Sequence, residues 1–169
     1  PGANAVLIAR PRTHIKDMEI NLYNEPCVGI LGERASRAQF SNLWVNGSTI
    51  WTDVANGSPG TGIRLQGTAS DQSAHASMFT NVRASRLEYG IHLKSWAYDT
   101  QFVDVWVATC KQGMRLNDGG HSLTNVHVWE SRDSNIYFLG AGANRLVNCY
   151  TEKSYLGWGI YDEVNDHKP

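Results

Sequence analysis

Along most of this chain, apolar and polar residues alternate over only three to five positions before a polar or glycine residue interrupts them. Such short alternating runs are too brief for helices and fit short strands. The runs also recur. A large apolar residue, one spacer, Asn or Asp, and then alternating apolar residues appear as Phe40-Ser41-Asn42-Leu43-Trp44-Val45 and Phe79-Thr80-Asn81-Val82-Arg83-Ala84. They return as Phe102-Val103-Asp104-Val105-Trp106-Val107, Leu123-Thr124-Asn125-Val126-His127-Val128 and Leu146-Val147-Asn148-Cys149-Tyr150-Thr151. The leading residues lie 39, 23, 21 and 23 positions apart, and Ile15-Lys16-Asp17-Met18-Glu19-Ile20 is a weaker copy 25 residues upstream of Phe40.

A second phrase keeps phase with the first. It reads Gly29-Ile30, Gly62-Ile63-Arg64-Leu65, Gly90-Ile91-His92-Leu93, Gly113-Met114-Arg115-Leu116, Asn135-Ile136-Tyr137-Phe138 and Gly159-Ile160-Tyr161. Short strands joined by tight corners cannot bury their own apolar face, so each repeat must stack on the next. The expected fold is all-β: a right-handed parallel β-helix, a solenoid of about six coils with roughly 22 residues each, in one domain over residues 1–169. At about 4.8 Å per coil, equivalent residues form columns.

The first inward columns are Phe40, Phe79, Phe102, Leu123, Leu146 and Leu43, Val82, Val105, Val126, Cys149. Ile63, Ile91, Met114, Ile136 and Ile160 fill another side. Asn42, Asn81, Asp104, Asn125 and Asn148 form a polar column expected to be an internal hydrogen-bonded ladder, interrupted chemically at Asp104. Asn and Gly are expected where the chain turns through unusual backbone angles. Two stretches exceed the period, 46–60 and 66–76, and are read as loop insertions on one face.

Composition narrows the function classes. Hydrophobic residues make up 41% and charged residues 18%, which excludes a disordered chain. The net charge of −1 gives no general attraction to nucleic acid, and no apolar run is long enough to insert into a membrane. The chain opens on Pro1-Gly2-Ala3, without Met or a secretion signal, and is expected to be a piece of a longer protein. Cys27, Cys110 and Cys149 lack metal-ligand spacing and are read as small hydrophobes; no metal or cofactor is expected.

The grammar of Gly-Ile-x-Leu, then an apolar residue-x-Asn, then Val-x-Val, resembles the pectate-lyase-like β-helix superfamily. That group includes uronate lyases, polygalacturonases, epimerases and bacteriophage tailspikes that cut bacterial surface polysaccharides. The likeness runs from about Ile15 to Asp162 and is closest to a tailspike depolymerase. It implies a polysaccharide partner, a homotrimer, and a place on a virion tail or outside the cell. No catalytic motif of the superfamily transfers residue by residue, and polygalacturonase-like carboxylate pairs are absent.

Candidate residues come from two outward columns. Arg64, His92, Arg115, Tyr137 and Tyr161 form a strip beside the Gly-Ile phrase, with Lys94 two residues on from His92; its cations suit carboxylate-bearing sugars. The insertion between Val45 and Ile63 is expected to wall that strip. Trp44, Arg83, Trp106, His127 and Tyr150 form the other column. Its aromatics are to be covered by protein, at a trimer interface or by a missing part of the chain, placed first, or by stacked sugar rings. For hydrolysis, Glu130 and Glu152 on successive coils are the candidate carboxyl pair. For lyase chemistry, which needs a base and a cation, Lys94, Arg115, His92 and Tyr137 are the candidates. A non-catalytic adhesin or structural shaft, or a secreted uronate lyase or epimerase, are the rival functions.

Overall fold

The computed structural model describes residues 4–23, 26–48, 60–140 and 142–162. Fifteen strands follow in chain order: β1 (Ala5–Ala9), β2 (His14–Asn21), β3 (Val28–Glu33), β4 (Gln39–Asn46), β5 (Thr61–Gln66), β6 (Met78–Ser85), β7 (Tyr89–Leu93), β8 (Gln101–Ala108), β9 (Gln112–Asn117), β10 (Ser122–Thr124), β11 (His127–Trp129), β12 (Ser134–Leu139), β13 (Arg145–Val147), β14 (Tyr150–Glu152) and β15 (Ile160–Asp162). Every strand pairing among the described residues is parallel, with each strand hydrogen-bonded to its equivalents one coil away. The result is the parallel β-helix of about six coils that the repeat predicts.

Each coil has three sides. The first is the sheet β1-β3-β5-β7-β9-β12-β15, built from the Gly-Ile phrase. The long strands β2, β4, β6 and β8 supply the other two, because each contains one residue with positive φ that bends it: Asp17, Asn42, Asn81 and Asp104, at 50–54°. In the fifth and sixth coils the bend at Asn125 and Asn148 separates β10 from β11 and β13 from β14. Asn and Asp tolerate this left-handed region better than other side-chain-bearing residues, which is why they mark the corner.

The bend also places their side chains outside. The Asn column is a ladder, but an exposed one, which corrects the internal placement. The interior is taken by the apolar residues on either side, Phe40, Phe79 and Phe102 from the second side and Leu43, Val82 and Val105 from the third. Each Asn Nδ2 donates to Oδ1 of the preceding coil: Asn42 to Asp17 at 2.8 Å, Asn81 to Asn42 at 2.9 Å, Asn125 to Asp104 at 3.0 Å and Asn148 to Asn125 at 2.8 Å. Asp104 accepts from Asn125 but, as a carboxylate, has no N–H to give Asn81. One rung is missing there.

The Gly-Ile glycines answer a different demand from the expected turn. Gly62 and Gly90 do not have positive φ; a Cβ on Gly62 would lie 2.4 Å from the Gly90 carbonyl oxygen, and one on Gly90 would lie 2.3 Å from Val107 Cγ1. They are glycines because a Cβ there would meet the carbonyl of the equivalent residue one coil on and, at Gly90, the third-side Val107 side chain. In the sixth coil Asn135 takes the position, with Nδ2 donating to the Glu152 carbonyl and Oδ1 accepting from the Ser131 N–H.

The predicted inward columns hold through the middle of the rod. At its C-terminal end Leu146 is 36% and Ile160 46% exposed, because no described coil stacks above them. Cys110 lies in the core, where burial pushes its thiol up to about 12, as for an inert hydrophobe. The stretch 66–76 is a corner loop carrying a short 3-10 turn, Ser70–Gln72. Of the stretch 46–60, residues 49–59 lie outside the described residues, including Asn56-Gly57-Ser58 and any wall beside the first side.

Replacing Asp104 with Asn should restore the missing rung without altering the corner. The expected gain is about 0.5–1 kcal/mol in urea denaturation. A loss of stability would mean that the carboxylate does something the ladder does not.

Candidate functional site

The third side carries two outward columns, fixed by strand register. The first runs Glu19, Trp44, Arg83, Trp106, His127, Tyr150, and the second Asn21, Asn46, Ser85, Ala108, Trp129, Glu152. Beside the second column is a corner whose residues have positive φ: Arg86, Thr109, Glu130 and Lys153. Backbone N–H groups of Arg86, Thr109 and Glu130 donate to Ala108, Trp129 and Glu152 of the next coil, so the corner keeps the same register.

Residue size shapes this surface. Asn46, Ser85 and Ala108 are small, and their column forms a floor, with the Ser85 hydroxyl donating to Asn46 Oδ1. Trp44 and Trp106 rise along one edge, Arg86 and Thr109 along the other, and Trp129 closes the C-terminal end. The depression is about 560 Å³. Two smaller ones adjoin it, one of about 380 Å³ between the Asn ladder and Trp44, the other of about 290 Å³ lined by Asn21, Tyr23, Asn46 and Arg86.

The aromatic wall is held by its own contacts. Trp106 meets Trp129 edge to face at 5.7 Å, His127 lies 4.4 Å from Trp129 and 4.7 Å from Tyr150, and the Arg83 guanidinium sits 5.6 Å from the Trp106 ring. Yet Trp44 and Trp106 remain 44% and 46% exposed. Edge contacts of this kind fix ring orientation while leaving surface for a ligand.

Glu130 and Glu152 belong to the C-terminal continuation of this face. Lys153 Nζ lies 3.3 Å from Glu130 Oε1 and 3.9 Å from Glu152 Oε1, so one ammonium brings the two carboxylates together. The hydrogen bond with Glu130, reinforced by both charges, holds Lys153 above its ordinary range. The pair expected from sequence is therefore assembled, next to Trp129 and on the same side as Trp44 and Trp106. Sequence reading did not single out Trp129, Arg86 or Lys153. Trp129 was visible as the residue two beyond His127, on the same strand face; its column hid it because the equivalent residues are Ser85 and Ala108.

The other candidates lie on the first side. Register confirms the column Arg64, His92, Arg115, Tyr137, Tyr161. It is packed more tightly upon itself. Arg64 Nη2 donates to Thr61 Oγ1 at 3.1 Å, the Arg115 guanidinium lies 5.3 Å from the Tyr137 ring, and Tyr137 stacks on Tyr161 at 5.0 Å. His92 is only 7% exposed and stacks on Tyr89 at 4.6 Å. Burial, then the charges of Arg64, Arg115 and Lys94, lower its pKa to about 3. His92 is thus a neutral imidazole and not a cation of the strip, and a base so weak is a poor proton acceptor near neutrality. Lys94 is exposed just after β7. Lys94 and Arg115 therefore share one side, and Glu130 and Glu152 another, and the two constellations do not form a joint site.

The buried His92 makes stability depend on acid. Between about pH 3 and the ordinary imidazole range the unfolded chain binds a proton that the folded chain refuses, so stability falls as pH drops through that window. His121, whose pKa burial also lowers, adds to the same slope. From about pH 7 to about pH 4.5, His92→Gln should lose roughly 2 kcal/mol less than the unmodified chain in chemical denaturation. Identical slopes would show that His92 titrates normally.

No protein-family model, curated protein or solved structure matches this chain.

Proposed function

We propose that this chain is a polysaccharide-binding β-helix, most like a bacteriophage tailspike, that lays a glycan strand along the rod on its third side. The observation that carries this reading is the depression walled by Trp44, Trp106 and Trp129 over a floor of Asn46, Ser85 and Ala108. Sugar rings present apolar faces that stack on exposed aromatic rings and hydroxyls that hydrogen-bond to short polar side chains. A coil advances about 4.8 Å, closely similar to the advance of one pyranose residue in an extended chain, so successive coils address successive sugars.

The same face is the alternative site for packing against a second copy. A recessed surface with Asn46 and Ser85 in its floor and two arginines at its rim fits a hydrated glycan better than the flat apolar core of a permanent interface. In this reading the homotrimer implied by the resemblance to tailspikes packs through other surfaces, and the protein acts on a virion tail or outside the cell.

Cleavage is the second reading, and one observation favours it. Glu130 and Glu152 flank one ammonium at the end of the groove, 3.3 and 3.9 Å from Lys153 Nζ, and a glycosidase works with two carboxyl groups set near one another. Lys153 would yield to substrate; one of the freed carboxylates would take up a proton from water and pass it to the leaving oxygen, while the other activates water or attacks the sugar. Lyase chemistry through Lys94 and Arg115 is the weaker branch, since the neighbouring His92 is unfit as a base and the face carrying them is packed on itself.

Titration calorimetry against bacterial surface polysaccharides tests the binding reading. At least one polymer should bind, and Trp106→Ala should weaken it about tenfold or more, whereas Tyr137→Ala should leave affinity nearly unchanged. Equal loss in both variants, or no binding across the panel, would contradict it. For cleavage, reducing ends should accumulate from the bound polymer, and Glu130→Gln and Glu152→Gln should each slow this by about a hundredfold or more with folding intact. No release of reducing ends would leave a binding module or shaft.

A further inference from the structure

Resting on the reading of the third side as a glycan groove, we infer that its ligand is an acidic polysaccharide. Its carboxylate-bearing residue sits at Arg83, flanked by neutral residues stacked on Trp44 and Trp106. The register sets this order. Trp44 pairs with Arg83, and Arg83 with Trp106, on three successive coils and in one outward column. A glycan advancing by about one residue per coil meets an aromatic ring, a guanidinium and an aromatic ring in turn.

Charge supports the same assignment. The lining of the main depression includes Arg83 and Arg86 and no acidic residue. Both arginines are exposed, and neither forms an ion pair among the described residues. Among the described residues the carboxylates nearest this stretch are Glu19 beside Trp44, Asp104 in the ladder on the Trp106 strand, and the Glu130–Glu152 pair beyond Trp129. A uniformly charged polymer would bring its carboxylates against Glu19 and the Glu130–Glu152 pair, whereas one with charge on alternate residues meets the arginines in the middle. The contact between Arg83 and the Trp106 ring restricts the guanidinium while its N–H groups remain available for a bidentate grip on a carboxylate. A neutral strand laid over the groove would instead cover Arg83 without giving it a partner, at a desolvation cost.

Capsular polysaccharides in which a uronate alternates with a neutral sugar are the probes, each used in native form and after reduction of its carboxyl groups to alcohols. Calorimetry should show the native polymer binding about tenfold or more tighter than its reduced form, with the difference shrinking as sodium chloride rises. Arg83→Ala should abolish the difference between the two polymers, and Arg83→Lys should retain part of it. Equal binding of native and reduced polymers by the unmodified chain would overturn the inference and leave the glycan groove standing. A loss in Arg83→Ala that is the same for both polymers would also overturn it. Binding of neither polymer, together with a smaller assembly for Arg83→Ala in sedimentation velocity, would overturn the groove reading as well and give this face to a second copy of the chain.

Discussion

The spacing of hydrogen-bonded parallel strands, about 4.8 Å, governs everything else in this molecule. Inside the rod it brings Phe40, Phe79 and Phe102 to ring separations of 4.7 and 4.8 Å, so the core is a stack of equivalent residues. At the corner it places each Asn amide within reach of the one before. At the Gly-Ile position of the first side it leaves no space for a side chain, and glycine recurs. Outside, the same spacing turns isolated surface residues into columns. Function on such a scaffold depends on which residues share a column and whether they satisfy one another.

The first and third sides differ in how closely their columns pack, although Arg64 Nε, His92 Nδ1 and Arg115 Nε are buried on the first without a hydrogen-bond partner. On the first, Arg115 covers Tyr137, Tyr137 stacks on Tyr161, and His92 is buried as a neutral imidazole between two arginines. On the third, Trp44 and Trp106 hold nearly half their surface in water, and the column beside them collapses to Asn46, Ser85 and Ala108. The proposed glycan reading rests on these exposed aromatics around a recess, because leaving apolar area in water has a cost. The Glu130–Lys153–Glu152 cluster continues that face at its C-terminal end.

Much of this was legible from the chain because each coil states the same requirement again. Phe40, Phe79 and Phe102 recur in phase with Ile63, Ile91 and Met114, and two phrases in phase leave few other architectures. The outward columns were legible too, since alternation alone puts Trp44 and Trp106 on one strand face. Environment was not. Spacing alone did not reveal that His92 would be desolvated and neutral, or that the Asn column would stand outside the corner instead of within it. Trp129 was hidden by the small residues of its own column, and Lys153 became significant only once the corner brought it between two carboxylates.

Hydroxyl-radical footprinting of the chain with and without a bound polysaccharide tests the central claim most directly, because it reports which aromatic side chains the ligand covers. Protection of Trp44, Trp106 and Trp129, with Tyr137 and Tyr161 oxidised at unchanged rates, is the predicted result. Protection of Tyr137 and Tyr161, with the third-side tryptophans unaffected, would contradict the account and move the binding face to the first side.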